Sequence, residues 1–398
     1  MSLLSKSQTE SIPGHAYPAH YWQSRHWFRS LVGSLQLEHQ AYEIETAADA
    51  EPVSAPASAA DDPRLTIDVA AHRISDSAPT LIVSSGLHGA EGFLGGAVQQ
   101  ACLQDWLREG LPEDCNLLLI HALNPHGFAL RRRFDSENID PNRNFLLPNQ
   151  TYSGAPPIYQ KLDRLLNPRQ PDRVSMAFWP RALGAIVRFG YRPISAAVAQ
   201  GQYEFPQGLF FGGKGPGETQ RVVDAHFDDW LSGSGPVLHL DFHTGLGPFG
   251  QLNFLMEQTL TPDQLAWLNR CFDPKRIQRV EQGRHLYEAL GSFGEWCIKR
   301  NPNRDYIFMC AEVGTYSAGK MLRGLRDENC CTHWCRRTAA ADSRQRDRQR
   351  DRLEELFCPA SEAWRVSVLE QCQAAVQNGL QGLRNGPCKS SRDSHPMS

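Results

Sequence analysis

Four short apolar runs, at residues 81–83, 117–123, 237–243 and 306–313, are each bounded by Gly, Asn or Pro and separated by stretches compatible with helix. That alternation predicts an α/β fold: a mixed, mostly parallel central sheet flanked by helices. The chain has 398 residues, 41% of them hydrophobic and 21% charged, an ordinary globular balance that supports a large core. No Pro/Gly-rich linker divides it into balanced halves, so a single elaborated domain is expected over 21–383, with an N-terminal extension over 1–20 and a disordered tail over 384–398. Residues 361–383 place Trp364, Val368, Leu369, Cys372, Ala375, Val376 and Leu380 at three- and four-residue spacings, as an amphipathic helix closing one face of the sheet would. The Ala/Pro/Ser-rich segment 46–63 reads as a loop outside the core. Residues 336–356 alternate basic and acidic side chains, which predicts a solvated helix face with i,i+4 ion pairs.

Charge excludes some partners. A net charge of −3 offers no global basic field, so neither nucleic acid nor a membrane is an expected partner. The longest apolar stretches fall far short of the ~20 residues a membrane helix needs. The N-terminus lacks a basic segment followed by a long apolar run, so a cytoplasmic location is expected. Eleven cysteines, an odd number without a CxxC pair, read as reduced structural thiols rather than a disulfide framework.

Four segments carry chemistry. His88 and Glu91 stand where the first apolar run ends in a Gly-rich turn; an imidazole and a carboxylate three residues apart can converge on one zinc ion. Taken alone, the pair reads more simply as a turn histidine followed by a helix-initiating Glu. Strand alternation over 237–245 puts His239, Asp241 and His243 on one face and Leu238, Leu240 and Phe242 on the other. Two imidazoles and a carboxylate are costly to bury unless they bond to one another or to a metal. His243, nearest the Gly-rich strand end, is the ligand candidate, and His239 reads as a satisfied core histidine. Residues 131–145 are dense in Arg and Asn, groups that hold carboxylates and oxyanions, although the Arg131-Arg132-Arg133 triplet alone reads as a solvated loop. Glu312 ends the last apolar run, where partial desolvation would tune it toward general-base work.

Taken together, SGLHGAEG at 85–92, HALNPHGF at 121–128, NIDPNRNF at 138–145, DFHTGLGP at 241–248 and EVGTYS at 312–317 resemble the zinc carboxypeptidase superfamily, which includes aspartoacylase and succinylglutamate desuccinylase, and more closely a bacterial branch of it. The resemblance runs from about Tyr21 to Leu383. It implies a carboxypeptidase-like fold and one zinc held by His88, Glu91 and His243. It implies Asp140 as the carboxylate that orients the first zinc histidine and Glu312 as the general base. Arg133 is implied as the oxyanion stabiliser, with Arg132 as the alternative, and Asn142 and Arg143 as the clamp for a substrate carboxylate. No tyrosine aligns with the one that closes over substrate in pancreatic-type enzymes; Tyr203 and Tyr316 are the candidates. The Gly-rich loop 210–215 lacks the GK[ST] ending of a phosphate loop and is a candidate pocket wall.

The expected activity is hydrolysis of an amide bond beside a free carboxylate, in a small peptide or an N-acyl amino acid. The alternatives are an amidohydrolase confined to N-acyl amino acids, and a ligand-binding relative without turnover. No GxSxG elbow offers a competing nucleophile.

Overall fold

A computed structural model describes residues 17–48, 50–59, 61–171, 178–279, 290–335 and 340–386. Of the expected N-terminal extension and C-terminal tail, only 17–20 and 384–386 fall among them. The elements run α1 (Tyr21–Ser34), β1 (Glu38–Glu43), β2 (Thr66–His72), β3 (Thr80–Ser85), α2 (Gly92–Glu109), β4 (Asn116–His121), α3 (Pro125–Ala129), α4 (Pro157–Leu166), α5 (Phe178–Phe189) and α6 (Tyr191–Ala199). They continue through α7 (Glu218–Trp230), β5 (Val237–Gly245), β6 (Leu252–Met256), α8 (Pro262–Cys271), β7 (Ile277–Arg279), α9 (Phe293–Arg300), β8 (Tyr306–Gly314), α10 (Ala318–Trp334), α11 (Ala340–Phe357) and α12 (Glu362–Arg384).

The eight strands form one sheet in the order β1-β2-β4-β3-β5-β8-β6-β7. Its centre, β4-β3-β5-β8, is parallel, and antiparallel pairings of β1 with β2, β2 with β4 and β6 with β8 extend it on both sides. The fold is therefore α/β, with a mixed, mostly parallel sheet between helices. Strands buried on both faces read as continuous apolar runs, and the four runs in the sequence are these four central strands.

Alternation assigns the two faces. Leu81, Val83, Leu238, Leu240, Phe242, Met309 and Ala311 pack with α1, α2 and α12 in one cluster, and Ile82, Leu118, Ile120 and Phe308 pack with α7 and α9 in another. Helix α12 buries each of the seven residues its spacing picked out. Among the described residues no helix is long and apolar enough to cross a membrane, and all ten described cysteines are free thiols.

Two expectations need correction. The segment 46–63 is a loop with one 3-10 turn, Ala57–Ala59, but Val53, Ala55 and Ala59 pack against the core and Glu51 receives Arg350 in a two-pronged ion pair of 2.6 and 3.0 Å. Helix α11 is not a solvated rod. Arg346 and Arg350, four residues apart on one face, are 6% and 4% exposed and turn inward to Glu51, while Leu353, Leu356 and Phe357 enter an apolar cluster with α10. Alternating charge signs concealed a buried face whose arginines have an acid to meet.

Candidate active site

The site stands outside the carboxyl ends of the central parallel strands, where open α/β sheets bind ligands. After β3 the chain turns at Gly86, whose φ of +66° suits glycine. Three residues on, a Cβ at Gly89 would lie 2.0 Å from the carbonyl carbon of Gly127, so only a glycine lets the two backbones approach. That turn delivers His88 and, at the entry to α2, Glu91. Both are almost fully buried.

His243 comes from the end of β5 and Glu312 from the adjacent β8, at paired positions in the ladder. Nδ1 of His88 lies 3.0 Å from Oε1 of Glu91, and Nδ1 of His243 lies 3.1 Å from Oε2 of the same carboxylate. Ligand atoms of His88, Glu91 and His243 all fall within 4.8 Å of one another. The outward nitrogens each face a carboxylate: His88 Nε2 lies 3.2 Å from Asp140 and His243 Nε2 lies 2.6 Å from Asp241. Thr244 N–H donates to Glu91 Oε2 at 3.0 Å. Nδ1 of His88, though 3.0 Å from Glu91 Oε1, is buried without an aligned hydrogen bond. An orphaned imidazole nitrogen converging with a second imidazole and a carboxylate fits a divalent cation of the zinc type, because nitrogen and oxygen donors at that spacing suit it and remove the cost of burying them.

Burial opposes ionisation of Glu91, but the facing imidazoles of His88 and His243 outweigh it and hold the carboxyl below the usual carboxylate range. Glu312 behaves oppositely: burial, then the neighbouring charge of Glu91, push it up to about 7. Its Oε1 accepts the Leu246 N–H at 2.7 Å. Cys310, one step back on the same strand face, has Sγ 3.8 Å from Glu312 Oε2.

The arginine triplet points three ways. Arg131 pairs with Asp351 of α11 at 2.5 Å. Arg132 is buried against Glu328 of α10 at 2.7 Å and Asn138 at 3.0 Å. Arg133 alone reaches the cluster, at 2.9 Å from Asp140, 3.4 Å from Glu91 and 2.7 Å from His88 Nε2. A solvated basic loop therefore does not describe this triplet.

Asn142 and Arg143 lie on the 3-10 turn Pro141–Arg143 that follows Asp140. Asn142 Oδ1 accepts the Phe293 N–H that opens α9, and Arg143 spends Nε on Ala199 O and Nη1 on Asn142 O. Among the described residues, Nη2 of Arg143 and Nδ2 of Asn142 have no protein partner. Tyr203 is buried with its hydroxyl on Arg143 O at 2.9 Å, while Tyr316 is half-buried and bonds Glu355. The Gly-rich loop braces the turn, since Phe211 O accepts the Asp140 N–H and Gly212 O and Gly215 O accept from Asn144.

Sequence reasoning read His239 as it stands, bonded to Ser84 and Tyr306 at 2.7 and 2.8 Å. It placed Asp241 on one strand face with His243 and named bonding among them as one way to bury them, but did not assign Asp241 to the site; the structure pairs the two at 2.6 Å. It also missed the backbone donors of Thr244 and Leu246, which no side-chain pattern marks.

A family model described as "Protein of unknown function (DUF2817)" matches residues 21–371. No curated protein matches the chain. Among solved structures, the chain is similar to a carboxypeptidase A from Helicoverpa armigera, at 10% identity over 88% of this chain and 76% of that one, with a TM-score of 0.46. It is similar to bovine thrombin-activatable fibrinolysis inhibitor, at 10% identity over 85% and 98% of the two chains, TM-score 0.44. A succinylglutamate desuccinylase from Chromobacterium violaceum shares 14% identity over 84% and 74%, TM-score 0.35.

Proposed function

The chain belongs to the DUF2817 family of proteins of unknown function, and we propose that it is a zinc-dependent hydrolase that cuts an amide bond next to a free carboxylate, with residues 21–383 as one catalytic unit. The observation that carries the reading is the convergence of His88, Glu91 and His243 beside a carboxyl, Glu312, paired in register with one of them.

His88, Glu91 and His243 would hold the metal, with Asp140 and Asp241 facing the other nitrogens of the two imidazoles. Zinc, when bound there, would supply Lewis acidity and bring the pKa of water at the site toward about 7. Glu312, oriented by Leu246 N–H, accepts a proton from the attacking water and returns it to the leaving amine. Arg133 donates to the oxygen that gains charge as the carbonyl becomes tetrahedral. Asn142 and Arg143 offer their unspent N–H groups to the substrate carboxylate, which explains why the loop that carries them is tied down by Tyr203 and by the Gly-rich loop.

The test is metal content of the purified protein and of a His243→Ala variant, followed by a panel of peptides and N-acyl amino acids. About one zinc per chain, lost in the variant, together with turnover of either substrate class supports the reading, and the class turned over separates carboxypeptidase from amidohydrolase. A wild-type protein that takes up no zinc when it is supplied overturns it.

A further inference from the structure

Ser84, His239, Asp241, His243 and Tyr306 share one face of the sheet. Parallel pairing sets Ser84 of β3 beside Asp241 of β5 and Val237 of β5 beside Tyr306 of β8, so strand alternation turns all five side chains to the same side. None is more than 4% exposed. Their polar atoms form one line: Tyr306 Oη lies 2.8 Å from His239 Nδ1, His239 Nε2 lies 2.7 Å from Ser84 Oγ, Ser84 Oγ lies 2.5 Å from Asp241 Oδ1, and Asp241 Oδ2 lies 2.6 Å from His243 Nε2. The rings of Phe293 and Phe308 stand edge-on to His239, with centroids at 5.7 and 4.7 Å, and the imidazole has no contact with solvent.

One proton fixes the direction of the whole line. Ser84 has a single hydroxyl hydrogen and two neighbours placed to take it. The Asp241 carboxylate can only accept, so the hydrogen goes to Asp241 and the Ser84 oxygen must accept from His239. Burial holds the His239 imidazole neutral, depressing it to about 4, which leaves the ring one hydrogen to give. That hydrogen is on Nε2, and the bare Nδ1 accepts from the Tyr306 hydroxyl. Every hydrogen bond then points the same way, from Tyr306 to His239 to Ser84 to Asp241.

We infer that Ser84, His239 and Tyr306 are positioning residues for the metal site, acting through Asp241 to hold Nδ1 of His243 toward Glu91 and to raise the affinity for zinc. The inference rests on His243 being a zinc ligand. Hydrogen bonds in series in a low-dielectric interior polarise one another, so three donors lined up on one carboxylate strengthen its hold on the His243 N–H. A ligand imidazole held in that way is oriented and more basic, and binds metal more tightly. Backbone carbonyls or water would satisfy a histidine that only fills the core. Here both ring nitrogens of His239 are spent on side chains, and one of the two leads to the ligand.

Zinc titration of the metal-free full chain against a chelator of known affinity tests this without an assay of activity. Ser84→Ala should weaken zinc binding about tenfold. Tyr306→Phe, which removes one hydroxyl at the far end of the line, should weaken it in the same direction and by less. Leu238→Val lies on the opposite face of β5, in the other apolar cluster, and loosens the core without touching the line; its zinc affinity should match wild type, which separates positioning from general destabilisation. In metal-free protein labelled with nitrogen-15 histidine, the His239 signals, assigned by their loss in His239→Gln, should report a neutral ring protonated on Nε2 near neutral pH. Wild-type affinity in both Ser84→Ala and Tyr306→Phe, equal weakening in Leu238→Val, or a His239 ring protonated on Nδ1 would each overturn the inference while the zinc assignment stands. A wild-type chain that takes up no zinc overturns the assignment and this inference together.

Discussion

Asp241 Oδ2 stands 2.6 Å from Nε2 of His243, and the same carboxylate takes a second hydrogen bond, from Ser84, on Oδ1. A carboxylate fixed at both oxygens imposes one tautomer on the imidazole and turns Nδ1 toward Glu91. Asp241→Asn should therefore lower zinc affinity by about 10- to 100-fold. Titration of the metal-free variant with zinc, read against a chelator of known affinity, checks this; unchanged affinity would show that Asp241 does not orient the ligand.

Glu312→Gln keeps the shape of the side chain and removes its basicity. Zinc content should stay at the wild-type level while hydrolysis falls by about 10²- to 10⁴-fold. In the wild type the carboxyl is pushed up to about 7 by burial and by the charge of Glu91. A general base must be ionised, so kcat/KM should rise with pH along a limb near that value and be lost as the pH falls below it. A flat profile from about pH 5 to 8 would remove Glu312 from this role.

Adjacent arginines should fail differently. Arg132→Ala takes the ion pair from Glu328, a buried residue of α10, and leaves it the Thr332 hydroxyl, a change that costs about 3–5 kcal/mol of stability and should lower Tm. Arg133 faces the cluster, where Asp140 keeps His88 and the Asn142 N–H as partners, so Arg133→Ala should lower Tm less than Arg132→Ala and reduce turnover by about 10²-fold. Thermal melts and single-turnover kinetics on the two variants separate the roles, and reversed phenotypes would refute the assignment.

Three buried histidines make the fold acid-sensitive. Burial depresses His121, His126 and His239 to about 4, 3 and 4, against roughly 6.5 in the unfolded chain. A depressed basic group favours the native state above its unfolded value, and that stability is lost as the pH falls through 6.5 toward the folded values. The urea midpoint should drop markedly between about pH 7.5 and 4.5. His121→Gln should flatten part of that dependence, and a midpoint independent of pH would contradict the burial argument.

How far the sequence could be read follows from where each residue's partners lie. The central strands were legible because burial on both faces leaves an uninterrupted apolar run. Strand β1, with the sequence EHQAYE, is almost wholly exposed and carries no alternation to read; backbone pairing with β2 makes it a strand. In the cluster, His88, Glu91, His243 and Glu312 were found because their types and neighbours form motifs. The motif resemblance favoured Arg133 for the site, but the directions of Arg131 and Arg132 could not be read, since their partners Asp351 and Glu328 come from α11 and α10, some two hundred residues later.

The arrangement of ligands also sets a schedule for biosynthesis. Glu91 and His243 are 152 positions apart, so at about 5–20 residues per second a ribosome exposes the first two donors roughly 8–30 s before the third is made. Until β5 has docked beside β3, one imidazole and one carboxylate are all a cation can find. Under the proposed assignment of His88, Glu91 and His243 as zinc ligands, metal capture follows assembly of the sheet, and until then the nascent chain offers a cation two of its three donors.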